Sequence, residues 1–214
     1  MALGIKTVIF DFDGTLVESV GIKDDAFAAL FVEYPGRLDE IMDYHRANNH
    51  TIRYEKFEHI HRNILGLEYT DEDRDRLSRR FSALVFERIV ACPWVAGAGD
   101  LLALGAEHPF YLVSMSPREE LLSILEHRGI LGCFKAVYAS EWTKTDAIRD
   151  ILAAEGIDPL AAVYVGDTPE DQAAAEAAGV QFIGRDSGRP LKGRAFKDMH
   201  EAGAALGLLQ GGVS

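Results

Sequence analysis

Cations are scarce in this chain. Lysine and arginine number 22 against 34 aspartates and glutamates, a formal net charge of −12 over 214 residues. Such a balance argues against non-specific binding to nucleic acid or to anionic membranes, which select basic surfaces. It leaves room for a local basic pocket that takes a phosphate. Cysteine is nearly absent, and Cys92 and Cys133 have no metal-ligand spacing, so two reduced structural thiols in a reducing compartment are expected. No apolar run approaches the length needed to span a bilayer. No signal-peptide pattern is visible ahead of the first apolar run, where Lys6 is the only charge, and the expected location is the cytoplasm. Internal repeats and low-complexity tracts are also missing. Apolar residues make up 48% of the chain, so a sizeable buried core is expected rather than disorder. The length suits one large domain, or a core carrying an inserted unit.

The stretch Val8-Ile9-Phe10-Asp11-Phe12-Asp13-Gly14-Thr15-Leu16 organises what is present. Val8, Ile9 and Phe10 read as a buried strand. Side chains alternate along a strand, so Asp11 and Asp13 lean one way and Phe12 the other. Gly14 allows the backbone to leave in a conformation that other residues avoid. Two carboxylates so placed repel each other unless a cation lies between them. Taken alone, the same residues also read as a turn.

Beyond that stretch the periodicity becomes helical. Phe27, Leu30, Phe31 and Tyr34 form one stripe; Leu38, Ile41, Met42 and His45 a second; Phe57, Ile60, Ile64 and Leu65 a third; and Leu77, Phe81, Leu84, Val85 and Arg88 a fourth. Thr70 and Asp73 have the spacing of a helix start. Four amphipathic helices with no strand between them predict an all-α unit over residues 18–91, inserted into an α/β core made of 1–17 and 92–214. In the core, apolar runs at 110–113, 135–139, 162–165 and 180–183 alternate with helical patterns. The fold class is therefore α/β, a doubly wound parallel sheet with helices on both faces. Ser116-Pro117-Arg118-Glu119 and Thr168-Pro169-Glu170-Asp171 both carry helix-opening chemistry, with Ser116 and Thr168 as the expected N-caps. A last helix is expected near 200–209, and Gly211, Gly212 and Ser214 are expected to fray.

Three later stretches bear on the paired acids. Phe110 to Val113 is an apolar run that ends in Ser114. Trp142-Thr143-Lys144 puts a lysine at a helix start. Ala162 to Val165 runs into Gly166-Asp167-Thr168-Pro169-Glu170-Asp171. Open α/β sheets bind ligands beyond the carboxyl ends of their strands, and Asp11, Asp13, Ser114 and Asp167 all fall at such ends. With these four stretches in this order, the chain resembles the haloacid dehalogenase superfamily, in its Mg²⁺-dependent phosphatase branch. The resemblance runs from residue 6 to about 185. Asp-Phe-Asp-Gly-Thr-Leu and Val-Gly-Asp-Thr-Pro-Glu-Asp together are its specific part. Ser114 and Lys144 add little by themselves. Where a proline often follows the family's lysine, Thr145 stands here.

The resemblance implies a phosphoglycolate phosphatase-like hydrolase, with the helical insertion as a cap that selects a small phosphorylated metabolite. Asp11 is expected to be the nucleophile and to form an aspartyl-phosphate. Asp13 is expected to protonate the leaving oxygen and then to deprotonate water; an acid there also sets phosphatases apart from dehalogenases. Asp11, Asp167 and the backbone carbonyl of Asp13 would hold Mg²⁺, a cation that selects oxygen ligands. Ser114 would donate to a phosphate oxygen, and Lys144 would balance the charge of Asp11 and of the phosphate. Asp171 divides between capping its helix and supporting the metal or Lys144. In the cap, the segment from Asn48 to Tyr54 contains Arg53, suited to a carboxylate or second phosphate, or else to a solvated loop. His59 and His61, two apart on a helix, do not share a face, so a metal site there is not expected. Two other functions remain open at this stage: a phosphomutase acting on a sugar phosphate, and a non-catalytic regulator that binds a phosphorylated ligand. The particular ester and the oligomeric state are not legible.

Overall fold

Strand β1 (Thr7–Phe10) is buried along its whole length. A strand covered on both faces reads as a continuous apolar run rather than an alternating one, and this is the pattern of Val8, Ile9 and Phe10. In the computed structural model, which describes residues 4–48, 51–106 and 108–209, the chain separates into two compact units: Met1–Glu18 with Cys92–Ser214, and Ser19–Ala91.

The second unit is helical. It holds α1 (Ile22–Leu30), α2 (Leu38–Ala47), α3 (Arg53–His59) and α4 (Asp71–Ala91), with a 3-10 turn at Pro35–Arg37 and a π-helical stretch at Ile60–Leu65 that continues α3. Each of the four apolar stripes supplies buried residues to its core, where Phe27 meets Phe57 and Phe81 at ring-centroid separations of 5.7 and 5.8 Å. Thr70 and Asp73 open α4 reciprocally: the Asp73 N–H donates to Thr70 Oγ1 at 3.2 Å, and the Thr70 N–H donates to Asp73 Oδ2 at 3.2 Å.

The first unit continues with α5 (Ala98–Leu102), β2 (Phe110–Val113), α6 (Arg118–His127), β3 (Ala136–Tyr138), α7 (Lys144–Glu155), β4 (Ala162–Gly166), α8 (Pro169–Ala178), β5 (Gln181–Arg185), β6 (Ala195–Phe196) and α9 (Met199–Ala205). Its sheet has the order β3-β2-β1-β4-β5-β6, and every neighbouring pair is parallel. One face is sealed by Ile148, Ile151 and Leu152 of α7 and Ala174 and Ala175 of α8, packed on Ile9, Tyr111, Val113 and Tyr164. This is the α/β architecture expected, a parallel sheet flanked by helices. Strand β1 lies between β2 and β4, with Phe10 in register with both Leu112 and Val165. The carboxyl ends of the three central strands therefore open on one edge.

Several local expectations are corrected. Ser116 does not cap α6: Pro117, with ψ at 139°, takes the N-cap position, and no side chain caps that helix. The extended backbone at Pro117 starts the helix one residue later and turns the Ser116 hydroxyl elsewhere. The last helix ends at Ala205 rather than 209, with Gly207 at φ +73° just past it. Gly211, Gly212 and Ser214 lie outside the described residues, as do Asn49 and His50 of the cap segment. Among the described residues, no helix is long and apolar enough to cross a membrane.

Candidate active site

Asp11 is the first residue past β1, and its N–H still donates to Val165 O of β4 at 2.9 Å. That bond fixes the backbone at the strand exit and directs the carboxylate to the sheet edge. The chain then turns sharply. Gly14 sits at φ +77°, Leu16 N–H donates to Phe12 O at 2.9 Å, and Phe12 is buried. Arg185, at the end of β5, clamps this turn: its Nη1 donates to Gly14 O at 3.0 Å and its Nη2 to Glu18 Oε1 at 2.6 Å.

Lys144, the first residue of α7, lies between two acids. Its Nζ donates to Asp11 Oδ1 at 3.0 Å and to Asp171 Oδ1 at 2.5 Å. Thr143 caps that helix by accepting from Asp146 N–H, and so sets where the lysine departs. Asp171 is fully buried and both its oxygens are engaged. Oδ1 also accepts from Tyr164 Oη at 2.8 Å; Oδ2 accepts from Thr168 N–H at 3.1 Å and Thr168 Oγ1 at 2.6 Å. A carboxylate has about four acceptor positions, and Asp171 uses as many. It caps α8 and holds Lys144 at the same time, the two expectations combined. Gly166 is needed for this fit, since a Cβ there would lie 2.5 Å from both Cβ and Cγ of Asp171.

Asp167 follows β4 and is fully buried. Arg189 Nη1 donates to its Oδ2 at 2.7 Å, while Oδ1 has no hydrogen-bond partner among the described residues. Carboxylate oxygens of Asp11, Asp167 and Asp171 lie within 4.8 Å of one another. A buried, unpartnered carboxylate oxygen is costly, and buried acids whose oxygens lie this close together suit a hard cation with oxygen ligands. The donor set thus fits a divalent metal, with Asp11 and Asp167 better disposed than the saturated Asp171.

The electrostatics agree with this geometry. Burial raises the Asp11 carboxyl to about 8; Lys144 opposes the rise, and Asp171, Asp167 and Asp13 add to it. Burial likewise raises Asp167 against the pull of Arg189. For Asp171 burial is outweighed by Lys144, Thr168 and Tyr164, and the net shift is downward. Lys144 is disfavoured by burial, yet Asp11 and Asp171 hold its pKa above the ordinary lysine value. Three acids and an amine therefore share one buried charge system.

The remaining expected residues separate into two groups. Asp13 is half-buried, with Ser116 Oγ at 3.5 Å from its Oδ2. Ser114 is buried beyond β2, and its Oγ accepts from Ser116 N–H at 3.2 Å. The two serines brace the turn that leads into α6. Arg53 belongs to the helical unit, where it opens α3 rather than a loop; its Nη1 donates to Ser82 Oγ at 2.8 Å and its guanidinium lies over Phe81. In the same unit, His61 is buried with Nδ1 3.0 Å from Phe57 O, and His59 stacks on Tyr44. Each ring has its own neighbours. Arg189, Arg185 and Tyr164 escape the sequence reading. The two arginines carry no local pattern, and a tyrosine within an apolar run reads as core.

A parallel sheet with an acid past its central strand, a lysine bridging two acids and a neighbouring carboxylate with an open oxygen define the class. The chain belongs to the haloacid dehalogenase-like hydrolases, whose family model matches residues 8–185. It is an enzyme of that family. It is 31% identical over 183 residues to the phosphoglycolate phosphatase of Synechococcus elongatus, a match spanning 82% of this chain and 81% of that one. Among solved structures, CbbY from Rhodobacter sphaeroides in complex with phosphate superposes with a TM-score of 0.70 at 18% identity, covering 95% of this chain and 100% of the other. The HAD-hydrolase YfnB from Bacillus subtilis, bound to magnesium, does so with a TM-score of 0.69 at 16% identity, covering 94% and 98%. At these identities the structural matches speak to the fold.

Proposed function

We propose that the protein is a Mg²⁺-dependent phosphomonoester hydrolase that works through a phosphorylated Asp11. The observation that carries this reading is the placement of Lys144 between Asp11 and Asp171 beside the open oxygen of Asp167. The chain is a phosphatase by family and by its likeness to a phosphoglycolate phosphatase. That likeness makes phosphoglycolate the first ester to test.

The Asp11 carboxylate attacks phosphorus. An O–P bond forms, the ester O–P bond breaks, and Asp13 gives its proton to the departing alcohol. Asp13 then takes a proton from water, whose oxygen attacks phosphorus; the bond to Asp11 breaks and inorganic phosphate leaves. Lys144 holds Asp11 in place and offsets the charge that gathers around it. Ser114 steadies the turn beside the phosphoryl group and offers it a hydroxyl. Asp11, Asp167 and the Asp13 carbonyl would hold the metal. When bound, Mg²⁺ supplies positive charge that favours the ionised form of Asp11 and counters the charge on the phosphoryl oxygens. The helical unit serves as a cap and selects the ester, with Arg53 a candidate there. The negative net charge and the two unpaired cysteines, Cys92 and Cys133, support a cytoplasmic enzyme of small metabolites.

The test is a panel of phosphate esters, assayed with and without Mg²⁺, on the native chain and on Asp11→Asn. The variant is expected to fold as the native chain does and to lose turnover by roughly 10⁴-fold or more, since a neutral amide in place of the carboxylate is a poor nucleophile towards phosphorus. Metal-dependent turnover that survives in the variant contradicts the reading.

A further inference from the structure

We infer that Arg189 is a positioning residue for Asp167: it holds Oδ2 so that Oδ1 is the oxygen presented to a divalent cation. The inference rests on the metal-dependent reading above and names a residue outside the four motifs.

Asp167 is fully buried, and Arg189 makes a single strong contact with it, Nη1 to Oδ2 at 2.7 Å. With Oδ1 unpartnered among the described residues, this contact, with the Ser187 hydroxyl beside it, sets the rotation of the carboxylate. The loop that carries Arg189 is held from several sides. Asp186 N–H donates to Phe196 O at 2.8 Å, and Gly188 N–H donates to Asp186 Oδ1 at 3.0 Å, with Gly188 at φ +85°. Further along, Lys192 N–H donates to Gln172 Oε1 at 2.9 Å, and Gln172 Nε2 donates to Lys192 O at 3.2 Å, which ties the loop to α8. Leu191 sits over Gly184, where a Cβ would lie 2.7 Å from its Cδ1. A loop pinned to β6, β5 and α8 is a pre-organised arm, and its arginine reaches the residue past β4.

Two effects of opposite sign are possible for a cation next to a metal ligand. Fixing the carboxylate favours metal binding, because outer-sphere partners orient ligands and their loss costs roughly 10–100-fold in affinity. The arginine's own charge opposes it. Arg189 is 38% exposed, so water screens part of its charge, whereas on the buried carboxylate Oδ1 has no hydrogen-bond partner among the described residues and only the Ser187 hydroxyl acts besides Arg189. Positioning prevails.

The experiment is a Mg²⁺ titration by calorimetry on the full chain, the Arg189→Ala variant and the Arg189→Lys variant, with ester KM measured at saturating metal. The native chain is expected to bind Mg²⁺; Arg189→Ala to bind roughly 10-fold or more weakly; Arg189→Lys to recover part of the loss; and KM to stay unchanged. Equal or tighter Mg²⁺ binding in Arg189→Ala overturns the inference, as does a raised KM with unaltered Mg²⁺ affinity, which would place Arg189 on the substrate. If Arg189→Ala fails to fold, native affinity with a raised KM in Arg189→Lys overturns it equally. A native chain that takes up no Mg²⁺ defeats the metal-dependent reading first, and the inference with it.

Discussion

His45 shows how much a single side chain's surroundings can do. It lies in the core of the helical unit, its ring stacked on Phe27 at 3.9 Å, with Nε2 3.1 Å from Asp24 Oδ1 and Nδ1 3.5 Å from Lys56 Nζ. Burial first, and then the Lys56 charge, lower its pKa to about 4, against the pull of Asp24. The neutral ring is thus the folded form. Above about 6.5 the unfolded chain carries a neutral His45 as well, and its contribution to stability is intact. As pH falls from there towards 4 the unfolded state takes up a proton that the folded state refuses, and stability drops. The loss attributable to this residue is roughly 2–3 kcal/mol. Urea unfolding midpoints between pH 7 and 4 should therefore fall less steeply in His45→Gln than in the native chain; parallel slopes would show that His45 is not the titrating group. The stripe position of His45 was legible in the sequence, since it completes an i, i+3, i+4, i+7 set. Its partners were not, because Asp24 and Lys56 come from other helices. The same holds in the first unit. Asp11, Lys144 and Asp167 stand at strand and helix ends that a local pattern reveals, while Arg189 and Arg185 act through contacts more than 20 and 160 residues away in sequence.

Two helices with the same opening letters behave differently. In α8, Thr168 Oγ1 accepts from Asp171 N–H at 3.1 Å and Asp171 accepts in return from Thr168 N–H, a full capping box with Pro169 at the first helical position. In α6, the equivalent serine gives its backbone carbonyl to Ser140 N–H and turns its hydroxyl to Asp13. The sequence shows a hydroxyl, a proline and an acid three residues on in both places; which backbone conformation follows is decided by where the preceding strand leaves the sheet. Thr168→Ala is expected to cost about 1–2 kcal/mol and to lower activity by loosening Asp171, and with it Lys144. Ser116→Ala should cost α6 little. Equal destabilisation of the two variants in thermal melts would contradict this difference. Short elements were the least legible: β6 has two residues and no periodicity to show, and the π-helical stretch after α3 keeps the apolar spacing of an ordinary helix.

At the scale of the whole chain, the fold was readable because a parallel sheet buried on both faces writes long apolar runs, and helices write a different period. The insertion after β1 showed as one uninterrupted helical region. The chemistry is distributed otherwise: residues 11, 144, 167 and 171 are far apart in sequence and meet only because β1 and β4 are neighbours and α7 and α8 pack together. Their common purpose in this account is to let Asp11 carry a phosphoryl group. The most direct measurement is an acid quench during turnover of a phosphate ester with Mg²⁺, followed by mass mapping of the protein. The expected result is a base-labile phosphoryl group on Asp11 of the native chain and none on Asp11→Asn. Steady hydrolysis with no phosphorylated protein, or phosphate on another residue, would contradict it.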